Sequence, residues 1–162
     1  MRTPDIESLR DTALFGALSE DALAFLVAKA SHAERAHGEV FFEQGALGES
    51  MFLLLSGEVY VQRHTVDTAH TLTRLSPGAC FGEMALIECA PRSATVRAKG
   101  NAKALEVSFA RFHELYQHAP EQFVIVHMNM AREVCRRLRV AVELIAETKT
   151  QLETLNDYGL YM

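Results

Sequence analysis

The most informative part of the chain is FGEMALIECAPRSATV, which runs from Phe81 to Val96. Gly82 lets the backbone approach a ligand closely because it has no Cβ, and the residues that follow it are good helix formers. Free amides at the start of such a helical turn attract an anion. Nine residues after Glu83 comes Arg92, whose guanidinium can clamp a phosphate, and Ser93 adds a hydroxyl donor. A carboxylate and a guanidinium that flank a short helix fit a sugar phosphate.

Glu83 and Arg92 have a simpler explanation when they are taken alone. Structural ion pairs on the rim of a β-barrel are common, and on these two residues that interpretation is the better one. In the sugar-phosphate interpretation, Glu83 accepts a hydrogen bond from a ribose hydroxyl. Arg92, Ser93 and the amides of Met84 and Ala85 then neutralise the phosphate. The spacing of the surrounding residues favours this second interpretation.

The stretch resembles, over its whole length, the phosphate-binding cassette of the cyclic-nucleotide-binding domain family. That cassette reads apolar-Gly-Glu-x-small-apolar, a short loop, and then Arg-Ser/Thr-Ala-x-apolar. Residues 81–86 and 92–96 match it at every position. The resemblance continues in residues 14–19 and in residues 38–59, which are similar to the glycine-punctuated first half of the family's β-roll. It implies a catabolite activator-like sensor domain.

The resemblance also implies a role for the cassette residues. Glu83 would bind the ribose 2′-hydroxyl, Arg92 the exocyclic phosphate oxygens, and Ser93 with the Ala85 amide the phosphate. The Arg-Ser-Ala string is similar to the bacterial catabolite activators, which favour cAMP, whereas cGMP-selective relatives often place Thr at the second position. The implied ligand is therefore cAMP ahead of cGMP, with cyclic di-GMP as a further alternative. The implied binding residues are Phe81, Gly82, Glu83, Met84, Ala85, Arg92, Ser93, Ala94 and Arg137.

Two places depart from the family pattern. The loop before Pro91 often contains a glycine in the family, and this chain has Cys-Ala there. On the long helix, an ungapped match from Pro120 places residues 137–138 at the base-contacting positions, whereas a match to the Arg-Arg-Leu string places residues 141–142 there. Arg137 is therefore a candidate base contact, with a solvated surface residue as the alternative.

Short β-rich runs, interrupted by glycines, occupy the middle of the chain. Such runs at regular intervals predict a small antiparallel barrel, jelly roll or sandwich, with turns at Gly45, Gly48, Gly57 and Gly78. The runs are residues 40–42, 51–55, 59–61, 72–75, 95–96 and 105–107. The predicted fold class is mainly β with flanking helices (α+β), built on an antiparallel β-roll or jelly roll.

Capping residues predict the flanking helices. Ser19 and Ser108 are candidate N-caps of two short helices, and Pro120 suits the first turn of a third. No glycine or proline interrupts that third helix before about Leu155. We therefore expect a nucleotide-binding β-roll with its N-terminal helix in residues 1–119, a long helix for dimerisation or signalling in residues 120–156, and a tail in residues 157–162.

The long helix carries an apolar heptad pattern typical of a coiled-coil seam. Over its first two turns we expect this face to pack on the protein's own roll. Beyond Leu138 we expect a partner helix, because the roll is too small to cover the seam, and a parallel two-fold homodimer is the commonest arrangement. The seam residues are Val124, His127, Ala131, Val134, Leu138, Ala141, Ile145, Thr148, Leu152 and Leu155.

Enzymatic and DNA-binding functions have less support. The seven histidines form no His-x-His or His-x-x-x-His pair, so a metal-dependent cupin-type enzyme would lack its ligands. A DNA-reading member of the family would need a helix-turn-helix domain after the long helix, and only seven residues follow Leu155. We expect a sensor that is neither an enzyme nor a direct DNA binder; the sensor half of a transcription regulator is the alternative.

Charge and cysteine content complete the expectations. The 162 residues carry a formal net charge of -5, which argues against a protein that coats nucleic acid or anionic lipid. The three cysteines lack a CxxC spacing and are expected to be buried free thiols in a reducing compartment. The chain has neither a membrane-length apolar run nor the apolar core of a signal peptide. A cytoplasmic protein with no membrane contact and a possible effector protein as partner is expected.

Overall fold

The computed structural model describes residues 6–157 and contains two four-stranded antiparallel sheets with helices at both ends. The strand order is β1-β8-β3-β6 in one sheet and β2-β7-β4-β5 in the other. The elements in chain order are α1 (Ile6–Arg10), α2 (Glu20–Val27), β1 (Ser31–Arg35), β2 (Val40–Phe42), β3 (Ser50–Ser56), β4 (Val59–His64), β5 (Ala69–Leu75), β6 (Cys80–Phe81), α3 (Glu83–Glu88), β7 (Thr95–Ala98), β8 (Ala102–Ser108), α4 (Phe109–His118) and α5 (Pro120–Asp157). The predicted fold class, a β-roll with a short N-terminal and a long C-terminal helix, is confirmed.

The helix starts follow the predicted caps. The Ser19 hydroxyl accepts a hydrogen bond from the Ala22 amide at 3.2 Å, and the Ser108 hydroxyl accepts one from the Arg111 amide at 3.3 Å. The long helix begins at Pro120. These ends are predictable because an N-cap satisfies backbone donors within its own first turn.

All six predicted strands are present, but two further strands were not predicted. In β1, only Ala33 is buried, so its sequence has no apolar run to mark it. β6 contains only Cys80 and Phe81. Both strands form through pairing with distant partners, β1 with β8 and β6 with β3.

Two apolar clusters fill the protein. One lies inside the roll and includes Phe41, Phe52 and Phe81; the Phe52 and Phe81 rings stack with centroids 5.1 Å apart. The other joins the helices to the outer face of the first sheet and includes Phe15 and Phe112. The roll therefore has a core of its own, against which the loop at residues 82–94 is positioned.

The long helix packs through a different face from the predicted one. Val126 and Met130 are fully buried in the helical cluster, whereas Val124, the first residue of the predicted seam, is 56% exposed. The seam prediction was wrong for these first turns, because the residues that contact the protein's own core, Val126 and Met130, each lie one position before the predicted His127 and Ala131.

The chain divides into two compact units, Met1–Met130 and Ala131–Met162, so that α5 contributes to both. Within the second unit, the apolar seam residues from Leu138 onward are exposed, among them Leu138 and Ile145, whereas Val134 is half-buried. The functional division at residue 119 stays a prediction. The predicted tail lies outside the described residues except for Asp157.

The prediction of free thiols is confirmed for all three cysteines, but the prediction that they are buried was correct for Cys80 alone. All three are free thiols; Cys80 is buried, while Cys89 and Cys135 are exposed. Cys89 follows α3 with a left-handed backbone, which places it in the turn that leaves the helix. Over residues 6–157, no helix has both the length and the apolar character needed to cross a membrane.

Candidate functional site

The site is built on the turn between β6 and α3. Gly82 has φ 84°, a left-handed conformation that glycine adopts without strain, and it redirects the chain from the buried Phe81 into α3. Glu83, the first residue of α3, is only 2% exposed. A Cβ on Gly82 would lie 2.6 Å from Nη1 of Arg92. The missing side chain therefore makes room for the arginine.

Arg92 is the central polar residue of this site, and its side chain is 95% buried with a relative exposure of 5%. Nη1 donates to the Gly82 carbonyl oxygen at 2.8 Å, and Nη2 donates to the Ser50 carbonyl oxygen at 2.6 Å. The guanidinium carbon lies 4.1 Å from the centre of the Phe42 ring. Two carbonyl groups and one aromatic face thus hold a cation in a fixed position.

The Nε–H group of Arg92 is different, because it is buried and has no hydrogen-bond partner within residues 6–157. An unsatisfied buried donor costs about 1–3 kcal/mol, so a site that keeps one is explained most simply by a ligand that supplies an acceptor. Gly48 lies directly against this group, and a side chain at residue 48 would not fit. A Cβ on Gly48 would lie 3.1 Å from Nε and 2.6 Å from the Cβ of Ala85.

Burial and two nearby carboxylates determine the pKa of Arg92. Burial lowers the pKa of Arg92 from its usual value, and the nearby carboxylates of Glu106 and Glu83 act in the opposite direction. Glu106 itself accepts a hydrogen bond from the Ser50 hydroxyl at 2.6 Å. A guanidinium stays protonated under these conditions, so the site presents a desolvated positive charge.

The backbone of Arg92 is also fixed. Its amide donates to the Ala46 carbonyl oxygen at 2.9 Å, and the Gly45 amide donates to the Arg92 carbonyl oxygen at 2.8 Å. The next residue, Ser93, is half-buried, and its hydroxyl contacts the sulfur of Met84 at 3.6 Å. The structure therefore brings the residues before and after the 88–91 loop into one place.

The predicted residues 81–85 and 92–94 all lie in the first unit around this turn. Ala85 and Ala94 are buried at 6% and 7% exposure. Phe81 packs inside the roll against Phe52, so it contributes by positioning Gly82.

Arg137 lies in the second unit. Its Nε donates to Glu133 Oε1 at 2.9 Å, and Arg136 donates to the same carboxylate at 2.6 Å. Burial raises the pKa of Glu133, but the hydrogen bond from Arg136 and the charges of both arginines outweigh it, so this pKa lies below its usual value. That Arg137 contacts a base stays a prediction.

Three parts of the site were not predicted as such: the Phe42 ring, the Ser50 carbonyl and the close approach at Gly48. Gly48 was predicted as a turn glycine, which is the one signal the sequence carries. A carbonyl group belongs to every residue and an aromatic residue suits any core, so neither could be assigned to the site from sequence.

A family model described as the cyclic nucleotide-binding domain matches residues 34–119, just over half of the chain. Two similar proteins are a cAMP-dependent protein kinase regulatory subunit of Dictyostelium discoideum, 38% identical over 48% of this chain and 25% of its own length, and the cyclic AMP receptor protein of Thermus thermophilus, 37% identical over 64% and 47%. The chain thus spans a quarter to about half of the length of these relatives.

A similar fold has been solved in the catabolite activator protein of Thermus thermophilus. The two structures align with a TM-score of 0.71 and 29% identity, covering 85% of this chain and 63% of the other. The residues matched by the family model include the whole turn from Gly82 to Ser93. This protein therefore belongs to the cyclic nucleotide-binding domain family.

Proposed function

We propose that this chain is a regulatory sensor domain that binds a cyclic nucleotide, with cAMP preferred. The observation that carries the proposal is the buried guanidinium of Arg92, whose Nε–H lacks an acceptor and is bordered by Gly48. An exocyclic phosphate oxygen supplies both the acceptor and the negative charge that this group requires.

The other cassette residues have complementary roles in this proposal. Glu83 accepts from the ribose 2′-hydroxyl, and Ser93 with the Ala85 amide donates to the phosphate. Gly82 and Ala94, which have small side chains or none, let the ligand lie close to the cassette backbone. The Met84 sulfur accepts a hydrogen bond from the Ser93 hydroxyl. Burial of Glu83 at 2% exposure strengthens a hydrogen bond to a ligand, because little water competes for it.

The preference for cAMP over cGMP rests on Ser93 and on the relatives. The two curated relatives described above carry cAMP in their names. A serine hydroxyl binds the phosphate, but it is a weaker candidate than threonine for the guanine amino group. Base contacts by Arg137 belong to the same proposal.

Calorimetric titration tests ligand and base choice together. We expect saturable binding of cAMP, weaker binding of cGMP and none of cyclic di-GMP. The 2′-deoxy analogue of cAMP tests Glu83: it should bind the natural chain about tenfold more weakly, in line with the loss of a hydrogen bond to a charged group. The Glu83→Ala variant, which has no side-chain acceptor, should bind cAMP and the analogue with nearly equal affinity. No binding of any cyclic nucleotide would refute the proposal.

In this proposal the chain binds a ligand and is not an enzyme, since Glu83, Arg92 and Ser93 act as hydrogen-bond partners of that ligand. Within residues 6–157, no group of three or more His, Cys, Asp or Glu side chains is arranged to hold a metal ion, as a cupin-type enzyme would require. We place the protein in the cytoplasm, where the exposed thiols of Cys89 and Cys135 would stay reduced.

We also propose that ligand occupancy is transmitted through α5, either to a homodimer partner or to an effector protein. Exposed seam residues support the dimer: Leu138 is 62% exposed and Ile145 68%. Val142 and Leu144 flank the seam and are 56% and 54% exposed, which widens the apolar surface. A parallel partner helix would cover it.

Sedimentation measures this association. Ile145→Glu should convert a dimer into a monomer at micromolar concentration. Val140→Glu is the matched control, because Val140 is also exposed, at 47%, but lies outside the seam. A natural chain that sediments as a monomer would contradict the dimer and leave the effector interpretation.

A further inference from the structure

Arg63 lies at the end of β4 and contacts the cassette from outside. Its Nη1 donates to the Ser93 carbonyl oxygen at 2.5 Å, and its side chain is exposed. We propose that Arg63 is a positioning residue of the phosphate site, which acts by orienting Ser93. The inference rests on the proposed function, since it concerns how the chain holds a cyclic phosphate.

The pairing of β4 with β7 ends inside the cassette, at Thr95. The register matches Val59 with Ala98 and ends with Gln62 opposite Thr95. Continued by one residue, it would place Arg63 opposite Ala94, but no backbone pair forms there. The Arg63 side chain bridges this gap by bonding to the backbone of Ser93.

The backbone of the next residue, His64, forms hydrogen bonds with the side chain of Gln44. Gln44 donates through Nε2 to the His64 carbonyl oxygen at 3.3 Å, and its Oε1 accepts from the His64 amide at 2.9 Å. The backbone amide of Gln44 also donates to Thr95 Oγ1 at 3.0 Å. The end of β4 is therefore tied to the loop that precedes β3, and Arg63 connects it to Ser93.

Ser93 lies between Arg92 and Thr95, and both of these residues are held by contacts with other segments. Arg92 is held by Gly45 and Ala46, and Thr95 is held by Gln62 and Gln44. The hydrogen bond from Arg63 holds the Ser93 carbonyl in place and so restrains the backbone from which the serine side chain projects. A hydroxyl group contributes to binding only when its donor direction meets the phosphate, so orientation determines its effect on affinity.

A double-mutant cycle tests this assignment. We expect Arg63→Ala to weaken cAMP binding about fivefold, in the range of one partly exposed hydrogen bond, and Ser93→Ala about tenfold. If Arg63 acts through the Ser93 hydroxyl, the double variant binds no more than about twofold more weakly than Ser93→Ala alone. Independent losses that multiply would overturn the inference, as would an unchanged affinity of Arg63→Ala.

Salt dependence separates positioning from simple charge attraction. Arg63 is a solvent-exposed cation, and a direct Coulomb effect on the phosphate would fall as ionic strength rises. Positioning predicts that the ratio of natural to Arg63→Ala affinity is the same at 0.05 and at about 0.5 M salt. A ratio that falls to one at high salt would overturn it.

Arg74→Ala is the matched control. Arg74 is an exposed arginine on β5 of the same hairpin, but it contacts Glu58 at 3.4 Å. This variant should bind cAMP as the natural chain does, and a fivefold loss there would contradict the assignment to Arg63. A natural chain that binds no cyclic nucleotide refutes the proposed function together with this inference, whereas binding with multiplying losses refutes this inference alone.

Discussion

Arg92 donates a hydrogen bond of 2.6 Å to the Ser50 carbonyl oxygen, although 42 residues separate the two in the chain. This bond connects the cassette with the first residue of β3. The residue proposed to bind phosphate is thus also a part of the folded core in the absence of ligand, and its replacement should affect two measurements.

Replacement of Arg92 should weaken both binding and stability. Arg92→Ala should reduce the binding free energy of cAMP by about 2 kcal/mol or more, because a buried phosphate oxygen loses its partner. Arg92→Lys should lower the ligand-free unfolding free energy by about 1–3 kcal/mol, since one ammonium does not replace a planar guanidinium. Denaturant titration without ligand measures this, with Arg74→Lys as the control. Unchanged ligand-free stability would contradict the structural role.

Gly48→Ala should displace Arg92 and Ala85 from their positions without straining the backbone of residue 48. The new Cβ would lie 2.6 Å from Ala85 Cβ and 3.1 Å from Arg92 Nε, so we expect at least tenfold weaker cAMP binding by calorimetry. Gly78→Ala is the control. Gly78 has φ 89° and nothing within 4 Å of a new Cβ, so its replacement should cost about 1 kcal/mol of stability and leave affinity unchanged. Equal affinities of both variants would argue against a ligand beside Gly48.

Asn129 forms hydrogen bonds that connect α5 to the segment between α1 and α2. Its Nδ2 donates to the Leu14 carbonyl oxygen at 3.0 Å and to the Gly16 carbonyl oxygen at 2.7 Å, in a site that is 8% exposed. Asn129→Ala should lower the unfolding free energy by about 1–3 kcal/mol in urea, because two carbonyls lose their donor. Met128→Ala, at 48% exposure on the same helix, should change it little. Equal losses would be inconsistent with this bond.

His127 should make stability depend on pH. Burial lowers the pKa of His127 in the folded state, so the unfolded chain takes up a proton more readily. Stability from this residue is therefore present above the unfolded pKa of about 6.5 and is lost as pH falls below it. Thermal unfolding from about pH 8 to pH 5 should show a smaller decline for His127→Gln than for the natural chain. His113→Gln, at an exposed position on α4, should leave the decline as it is.

Local features of the fold were predictable from the sequence. Ser19, Ser108 and Pro120 mark helix starts because capping and proline geometry act within one turn. Runs such as residues 51–55 indicate strands because the apolar character of their side chains is enough to predict that they are buried. The cassette could also be predicted, since its residue types match the family pattern at a fixed spacing.

Long-range contacts set the remaining features. β1 is a strand because it pairs with β8, and the sequence Ser-His-Ala-Glu-Arg has no strand pattern of its own. The face of α5 that is buried depends on where the helical cluster meets it, which is why Val126 is buried and Val124 is not. A heptad pattern describes an apolar surface but does not distinguish the protein's own core from a partner.

The same division applies to the site. Glu83, Arg92 and Ser93 could be singled out from the sequence because their types and spacing match the family's cassette, whereas Glu83 and Arg92 taken alone would fit a structural ion pair. The Ser50 and Gly82 carbonyls that hold Arg92, the close approach of Gly48 to Arg92 and the bond from Arg63 to Ser93 depend on the folded chain. Backbone groups are the same in every residue, so only the packing of distant segments determines which of them meet a given side chain.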